Sequence, residues 1–343
     1  NLKTNSKTIY DLASLTKILV TTPIIINLVD KNIIGLETKL KEIIPRYENS
    51  NKSEISVKEL LSGHAALQAW IPFYKLTLDE KNRPSSKYYS FSRNITNSVK
   101  VSPDLYLRTD YVDTIRNIIK KSDLLKDKYK YSDLSYLIIQ EFIENHYNQN
   151  LDQIIYELMF RKLGIELTYN PTLKYSTNNI APTEIDEYFR YKEINGYVHD
   201  MAAAMLGGVS THAGLFGNAL NVAKVMQLYI QNGNYGNEQI LKPETINLFN
   251  NCYYCDEDNR RGVGFDKPQL EDDGPTCGCV SMNSFGHSGW TGTFAWADPD
   301  QEIIYVFLSN RSYPAGESAG KSKLVNENIR SKIQEIIYNS INN

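Results

Sequence analysis

Two residues in the stretch "DLASLTKIL" (11–19), Ser14 and Lys17, carry the types and spacing of a nucleophile and its base. On a helix, positions i and i+3 share a face, so the Lys17 amine can lie beside the Ser14 hydroxyl. A serine is a weak nucleophile until a neighbouring base takes its proton, and a lysine can serve once burial lowers its pKa. The same residues also read as a helix start, with a hydroxyl near the cap and an apolar run behind it. A second group is Tyr131-Ser132-Asp133 in "KYKYSDLSYLIIQ". A tyrosine placed there, ahead of an apolar helix, can pass a proton to or from a leaving group. As a packed core residue it would need only a hydrogen-bond partner, as most of the 24 tyrosines do. The third group, His287-Ser288-Gly289 in "GHSGWTGTF", opens a glycine-rich strand whose edge can receive a substrate backbone. There the main-chain N–H of Trp290 could join that of Ser14 in holding an oxyanion.

The elements that must position these groups are mostly helical at first. "LTKILVTTPIIINLVDKN" has the pattern of a buried helix ending near Asn32, and "SVKELLSGH" of a short helix capped by Ser56. "DYVDTIRNIIKKS", "YSDLSYLIIQEFIENHY", "LDQIIYELMFRKLGI" and "NVAKVMQLYIQNG" repeat apolar residues at three and four spacing. Long polar connections at 77–110 and 170–197 separate them, a length that in compact domains usually shapes a site. Towards the end, "GTFAWADPD" and "QEIIYVFLSN" form an antiparallel hairpin around "DPDQ", and "VNENIRSKIQEIIYNSIN" closes as an amphipathic helix.

The chain has 343 residues, 41% of them hydrophobic, with a net charge of −3. That suffices for a large core in one or two domains, and the absence of a basic block argues against nucleic acid as partner. The longest apolar run, 18–29, contains Pro23 and is too short to span a bilayer. No signal peptide is visible in the polar opening "NLKTNSKT". Cys252, Cys255, Cys277 and Cys279 could supply four thiolates to a zinc ion, close one or two disulfides, or stay free. The single residue between the second pair counts against zinc, and in every case a local staple on a loop is favoured over a catalytic centre.

In this order and on these elements, the three groups resemble the serine penicillin-recognising enzymes, with motifs S-x-x-K, Y-x-N or S-D-N, and K-T-G. The similarity is to the branch holding class C β-lactamases, D-alanyl-D-alanine carboxypeptidases and related esterases and amidases. "IYDLASLTK", "LGGVSTHAGLFGNALNVAKVMQLY" and "FGHSGWTGTFAWADPDQEIIYVFLSNR" extend it over nearly the whole chain. More narrowly, "LLSGHAALQAWIPFYK", "IAPTEIDEYFR" and "GYVHDMAAAMLGG" look like the serine-hydrolase domain fused behind, or encoded beside, family 3 β-N-acetylglucosaminidases. Its stand-alone relative is an N-acetylmuramoyl-L-alanine amidase of cell-wall turnover and recycling.

The resemblance implies an α/β (α+β) β-lactamase/transpeptidase-like fold, an antiparallel sheet flanked by helices plus a mostly helical region. Residues 1–35 and 205–343 would build the sheet region and 36–204 the helical one, together one catalytic domain. Since the fold normally places two strands ahead of the Ser14 helix, the native chain is expected to start upstream, with those strands or a further domain. Ser14, Lys17 and Tyr131 would be catalytic. Ser14, His287, Ser288, Gly289 and Trp290 would form the oxyanion hole and substrate strand. Asp133, His64, Trp70, His199 and His212 are candidates for substrate contact. The pair His199-Asp200 could also orient a base or bind zinc, but a Ser-Lys-Tyr mechanism needs no metal or cofactor, and none is assigned. Asp133 stands where the family usually has Asn, and His287 where the β-lactamases have Lys, which weakens binding of a free substrate carboxylate. The expected activity is therefore acyl-enzyme hydrolysis of an amide in muropeptides. The alternatives are a D-alanyl-D-alanine carboxypeptidase or β-lactamase-like enzyme, a broad esterase, and a non-catalytic muropeptide-binding module. A periplasmic, secreted or envelope-associated setting follows from that substrate.

Overall fold

A computed structural model describes residues 3–270, 274–315 and 323–341. Its centre is the apolar run behind Ser14. Lys17–Thr21 form a π-helical turn that continues as an α-helix over Thr22–Asp30. Pro23 explains the wide turn: it has no N–H for the Leu19 carbonyl, and its ring crowds that turn. From Leu15 to Ile26 every residue is buried, as expected for a helix apolar on all sides.

The helices expected from periodicity form around this one, at Val57–Leu61, Tyr111–Lys121, Leu134–Tyr147 and Ala219–Ile230. Ser56 caps its helix as expected, its Oγ accepting from Glu59 N while the Glu59 carboxylate accepts from Ser56 N. The expected helix over 151–165 is broken by a π-turn at Tyr156–Phe160. The closing helix is split in two, Lys323–Asn326 and Ile329–Ile341, where Asn328 takes φ of 50°. Asn342, the last residue of the expected closing helix, lies outside the described residues.

The connections read as irregular carry small antiparallel sheets instead. Within 77–110, strands Tyr89–Ser90, Leu105–Arg108 and Asn97–Ser102 pair in that order, and Glu184–Asp186 pairs with Lys192–Ile194. The alternation in "NSVKVS" and "LYLR", broken by Pro103-Asp104, is the period-two signal behind the first of these sheets.

The hairpin near the end forms as expected, within a three-stranded antiparallel sheet of Phe285–Ser288, Phe294–Asp298 and Ile303–Phe307. Its faces are divided by alternation. Phe294, Trp296 and Tyr305 pack with Ile333 and Ile337 of the last helix, whereas Ala295 and Ala297 join the main core. His287 pairs with Ala295 at the inner end of the sheet. Next to it Thr291 and Thr293 donate their hydroxyls to the carbonyls of Asp11 and Leu12, at 2.8 and 2.9 Å. These bonds clasp the last sheet to the turn before Ser14.

The four cysteines form two disulfides, Cys252–Cys255 and Cys277–Cys279. The four-thiolate zinc alternative is thereby overturned. The short spacings leave Cα pairs 5.7 and 5.2 Å apart, within bridging reach, so each thiol is consumed locally. Among the described residues no helix is long and apolar enough to cross a membrane.

Candidate active site

The turn that presents Ser14 is built by Asp11. Its Oδ1 accepts from the Ala13 N–H at 2.9 Å and its Oδ2 from the His199 N–H at 2.7 Å. Between them Ala13 adopts φ of 47°, left-handed and costly for a residue with a Cβ. Gly289 lies against the same turn: a Cβ there would be 2.8 Å from the Leu12 carbonyl and 3.2 Å from Ala13 Cβ. Only glycine lets the strand approach so closely. Ser14 is left partly exposed at the head of a buried helix.

Two of the sequence-predicted residues converge on the Ser14 hydroxyl. Lys17 Nζ donates to Ser14 Oγ at 2.9 Å, and Tyr131 OH donates to the same oxygen at 3.0 Å. Lys17 also donates to the His212 carbonyl at 3.1 Å and pairs with Asp133 Oδ1 at 2.7 Å. Burial by itself would lower the Lys17 amine, but the Asp133 carboxylate outweighs it, helped by Tyr131 and Tyr136, and holds it above the usual lysine range. Burial also raises the Tyr131 phenol, against the pull of Lys17. Both groups therefore stay protonated at rest.

His287 is buried, its Nδ1 2.7 Å from the Ser288 carbonyl, its ring centre 5.7 Å from that of Tyr131. Burial, with the Arg261 and Lys17 cations nearby, lowers it to about 3, so it stands neutral. Among the described residues, neither the Ser14 nor the Trp290 backbone N–H has a hydrogen-bond partner. Both are free to meet a substrate oxygen, the requirement for an oxyanion hole.

A narrow cleft opens beside Lys17, lined by Trp70, Phe73, Asp133, Asp200 and His212. Trp70 and Trp290 are about half exposed, at 51% and 47%, and the Arg311 guanidinium lies 5.2 Å from the Trp290 ring centre. His212 Nε2 lies 2.8 Å from Asp200 Oδ1, and its Nδ1 2.8 Å from Ser210 Oγ. Burial would raise the Asp200 carboxyl, yet His212 holds it well below the carboxylate range. The other two candidate histidines, His64 and His199, are engaged elsewhere. His64 stacks on Tyr254, 3.8 Å between ring centres, with Glu257 at 3.4 Å. His199 packs 3.7 Å from Glu184, beside the buried Arg190.

The sequence reading missed two residues. Asp11 sits two before Ala13, the spacing of an Asx turn, a signal present in "DLA". Arg261 places its guanidinium 4.6 Å from the Tyr131 ring centre, with Nε buried and unpartnered. Nothing local in "NRRGVGF" marks it.

The buried neutral histidines make stability depend on pH. The ordinary value is 6.5, and His199 is lowered by burial and Arg190 to about 4. Between these values and pH 6.5 the unfolded chain takes up protons that the folded chain does not. The stability is therefore full above pH 6.5 and is lost as pH falls. Each histidine contributes about 1.4 kcal/mol per pH unit in that window. Asp11, raised by burial to about 6, acts with the opposite sign. Urea unfolding of wild type and His287→Gln at pH 6.5 and below should show the variant's dependence flatter by about that slope. Parallel curves would refute the assignment.

The profile of the family described as Beta-lactamase matches residues 2–328. A protein of Escherichia coli (strain K12) named "Putative D-alanyl-D-alanine carboxypeptidase" is 30% identical over 329 residues, covering 91% of this chain and 71% of that protein. Among solved structures, a penicillin-binding protein homologue from Caulobacter crescentus superposes with a TM-score of 0.60 at 15% identity, over 88% of this chain and 78% of the other. EstCE1, described as a hydrolase with promiscuous acyltransferase activity, also gives 0.60, at 17% identity, over 91% and 83%.

Proposed function

The chain belongs to the beta-lactamase family of serine hydrolases, and from that premise we propose that it cleaves an amide bond of peptidoglycan fragments through an acyl-enzyme on Ser14. The observation that carries this reading is the Ser14 oxygen held between Lys17 Nζ at 2.9 Å and Tyr131 OH at 3.0 Å. Ser14 Oγ attacks the carbonyl carbon, the Ser14 and Trp290 N–H groups hold the oxyanion, and Tyr131 protonates the leaving amine. Water then hydrolyses the ester.

We take the bond to be that between the muramic acid lactyl group and L-alanine. Trp70 with the carboxylates of Asp133 and Asp200 suits a sugar, since an aromatic face stacks on its C–H groups and carboxylates accept from its hydroxyls. A neutral His287 offers no charge to a free carboxylate. A second reading, release of a terminal D-alanine, is favoured by the name of the Escherichia coli relative and by the Arg261 guanidinium beside Tyr131. The two disulfides support an oxidising setting, the periplasm, envelope or outside of the cell. A family 3 glycosidase, fused or neighbouring, would supply the fragments.

Incubation with defined muropeptides, read by mass, tests the proposal. Release of the whole stem peptide from the sugar is expected. Release of one alanine alone would favour the second reading. Binding without cleavage would overturn both and leave a binding module.

A further inference from the structure

The resting site poses a difficulty. Ser14 Oγ receives two donors, and neither can take its proton: Tyr131 presents its O–H, and Lys17 has its three N–H bonds directed at Ser14, His212 and Asp133. Lys17 is fully buried and cannot exchange a proton directly with water. The nearest group with a free lone pair and a negative charge is Asp133, one lysine away.

We propose that Asp133 is the terminal acceptor of the Ser14 proton, reached through Lys17. The proposal rests on Ser14 being the nucleophile. Asp133 occupies the N-cap position of helix Leu134–Tyr147, yet its side chain caps nothing. Ser132 Oγ accepts from the Leu134 N–H instead, at 3.2 Å. The carboxylate is turned to Lys17 at 2.7 Å, and among the described residues its Oδ1 has no other partner. An aspartate that forgoes its cap to face a buried ammonium is placed for charge and proton transfer, not for the helix.

The transfer balances. One Lys17 proton moves to Asp133, leaving a neutral amine and a neutral acid with the charge of the pair unchanged. The freed lone pair takes the Ser14 proton as Oγ bonds to the carbonyl carbon, and the C=O pair moves onto oxygen. Lys17 is again an ammonium and Asp133 holds the proton. On collapse the C–N bond breaks and Tyr131 gives its proton to the amine; Lys17 then reprotonates the Tyr131 phenolate and takes the proton back from Asp133, which restores the resting site. The charged and titratable groups around the pair are Tyr131 and Tyr136, whose ring centres lie 5.1 and 5.0 Å from Nζ, together with Asp200, His212, Arg261 and His287. Asp133 is the one carboxylate among the groups that together outweigh the burial of Lys17, so an unaided Lys17 would have to shed its proton to solvent against that pull.

The test is the pH profile of kcat/KM for p-nitrophenyl acetate, whose leaving group needs no proton. Wild type is expected to be flat through the neutral range. Asp133→Asn should lose rate tenfold for each pH unit on the acid side, as Lys17 must now deprotonate first. At about pH 6 it should be on the order of 100-fold slower. Asp133→Glu should restore the flat profile at reduced rate. A wild-type profile in Asp133→Asn, or a tenfold-per-unit rise in wild type itself, would overturn the relay. Should Asp133→Asn fail to fold by circular dichroism, Asp133→Glu decides: flat supports the relay and a sloped profile refutes it. Turnover surviving Ser14→Ala would instead refute the serine reading beneath it.

Discussion

Ser14→Ala is expected to lower kcat/KM by at least about 10^4-fold on any substrate, and adding Lys17→Ala should cost little more. The reason is the shared oxygen. Lys17 Nζ and Tyr131 OH both bond to Ser14 Oγ, so without it neither has a reacting atom to serve. What remains is the pull of the Ser14 and Trp290 N–H groups, which a backbone turn keeps in place after the side chain is cut. Steady-state rates for both variants, with intact-mass spectra to look for an acyl adduct, check the expectation. An adduct in Ser14→Ala, or additive losses in the double variant, would show that another residue attacks.

Tyr131→Phe is expected to reduce kcat on an amide by roughly 10^2- to 10^4-fold while leaving KM near its wild-type value. The ring stays packed between the Arg261 guanidinium at 4.6 Å and the His287 ring at 5.7 Å, and only the hydroxyl is lost. An amine is a poor leaving group until protonated, whereas a nitrophenolate departs unaided. The loss should therefore be much smaller on an activated ester. The ratio of amide to ester rates measures the proton donation directly. Equal losses on both would mean that Tyr131 acts only by packing.

Much of this site could be read in the sequence because its central pair is local. Ser14 and Lys17 lie one helical turn apart, and Tyr131 precedes an apolar helix whose start is visible in the pattern. Ser14, Lys17 and Tyr131 do meet, Asp133 pairs with Lys17, and His287 lies beside Tyr131. The helices were legible for the same reason, being set by three- and four-residue spacing. Arg261 was not, since it reaches Tyr131 through a fold contact that no local spacing records. Nor was the turning of Asp133 from cap to Lys17, because an aspartate before a helix has the same sequence whichever it does. The small sheets in 77–110 and 170–197 were harder to see because their strands are short: the alternation in "NSVKVS" and "LYLR" spans only a few residues between polar turns. His64 and His199 looked like site residues but take up stacking and charge-packing roles elsewhere.

The two threonine bonds from the last sheet to Asp11 and Leu12 span 280 and 281 residues. Closing a segment so long is slow, because its entropy is lost before the contact forms. Those bonds fix the turn beneath Ser14, so catalytic competence arrives last in biosynthesis, after the final hairpin has left the ribosome. A chain stopped short of residue 291 would carry Ser14, Lys17 and Tyr131 and still be inert. Two separately made pieces, split in an exposed loop, should recover hydrolysis only on reassociation, which makes the clasp a built-in proof of completeness.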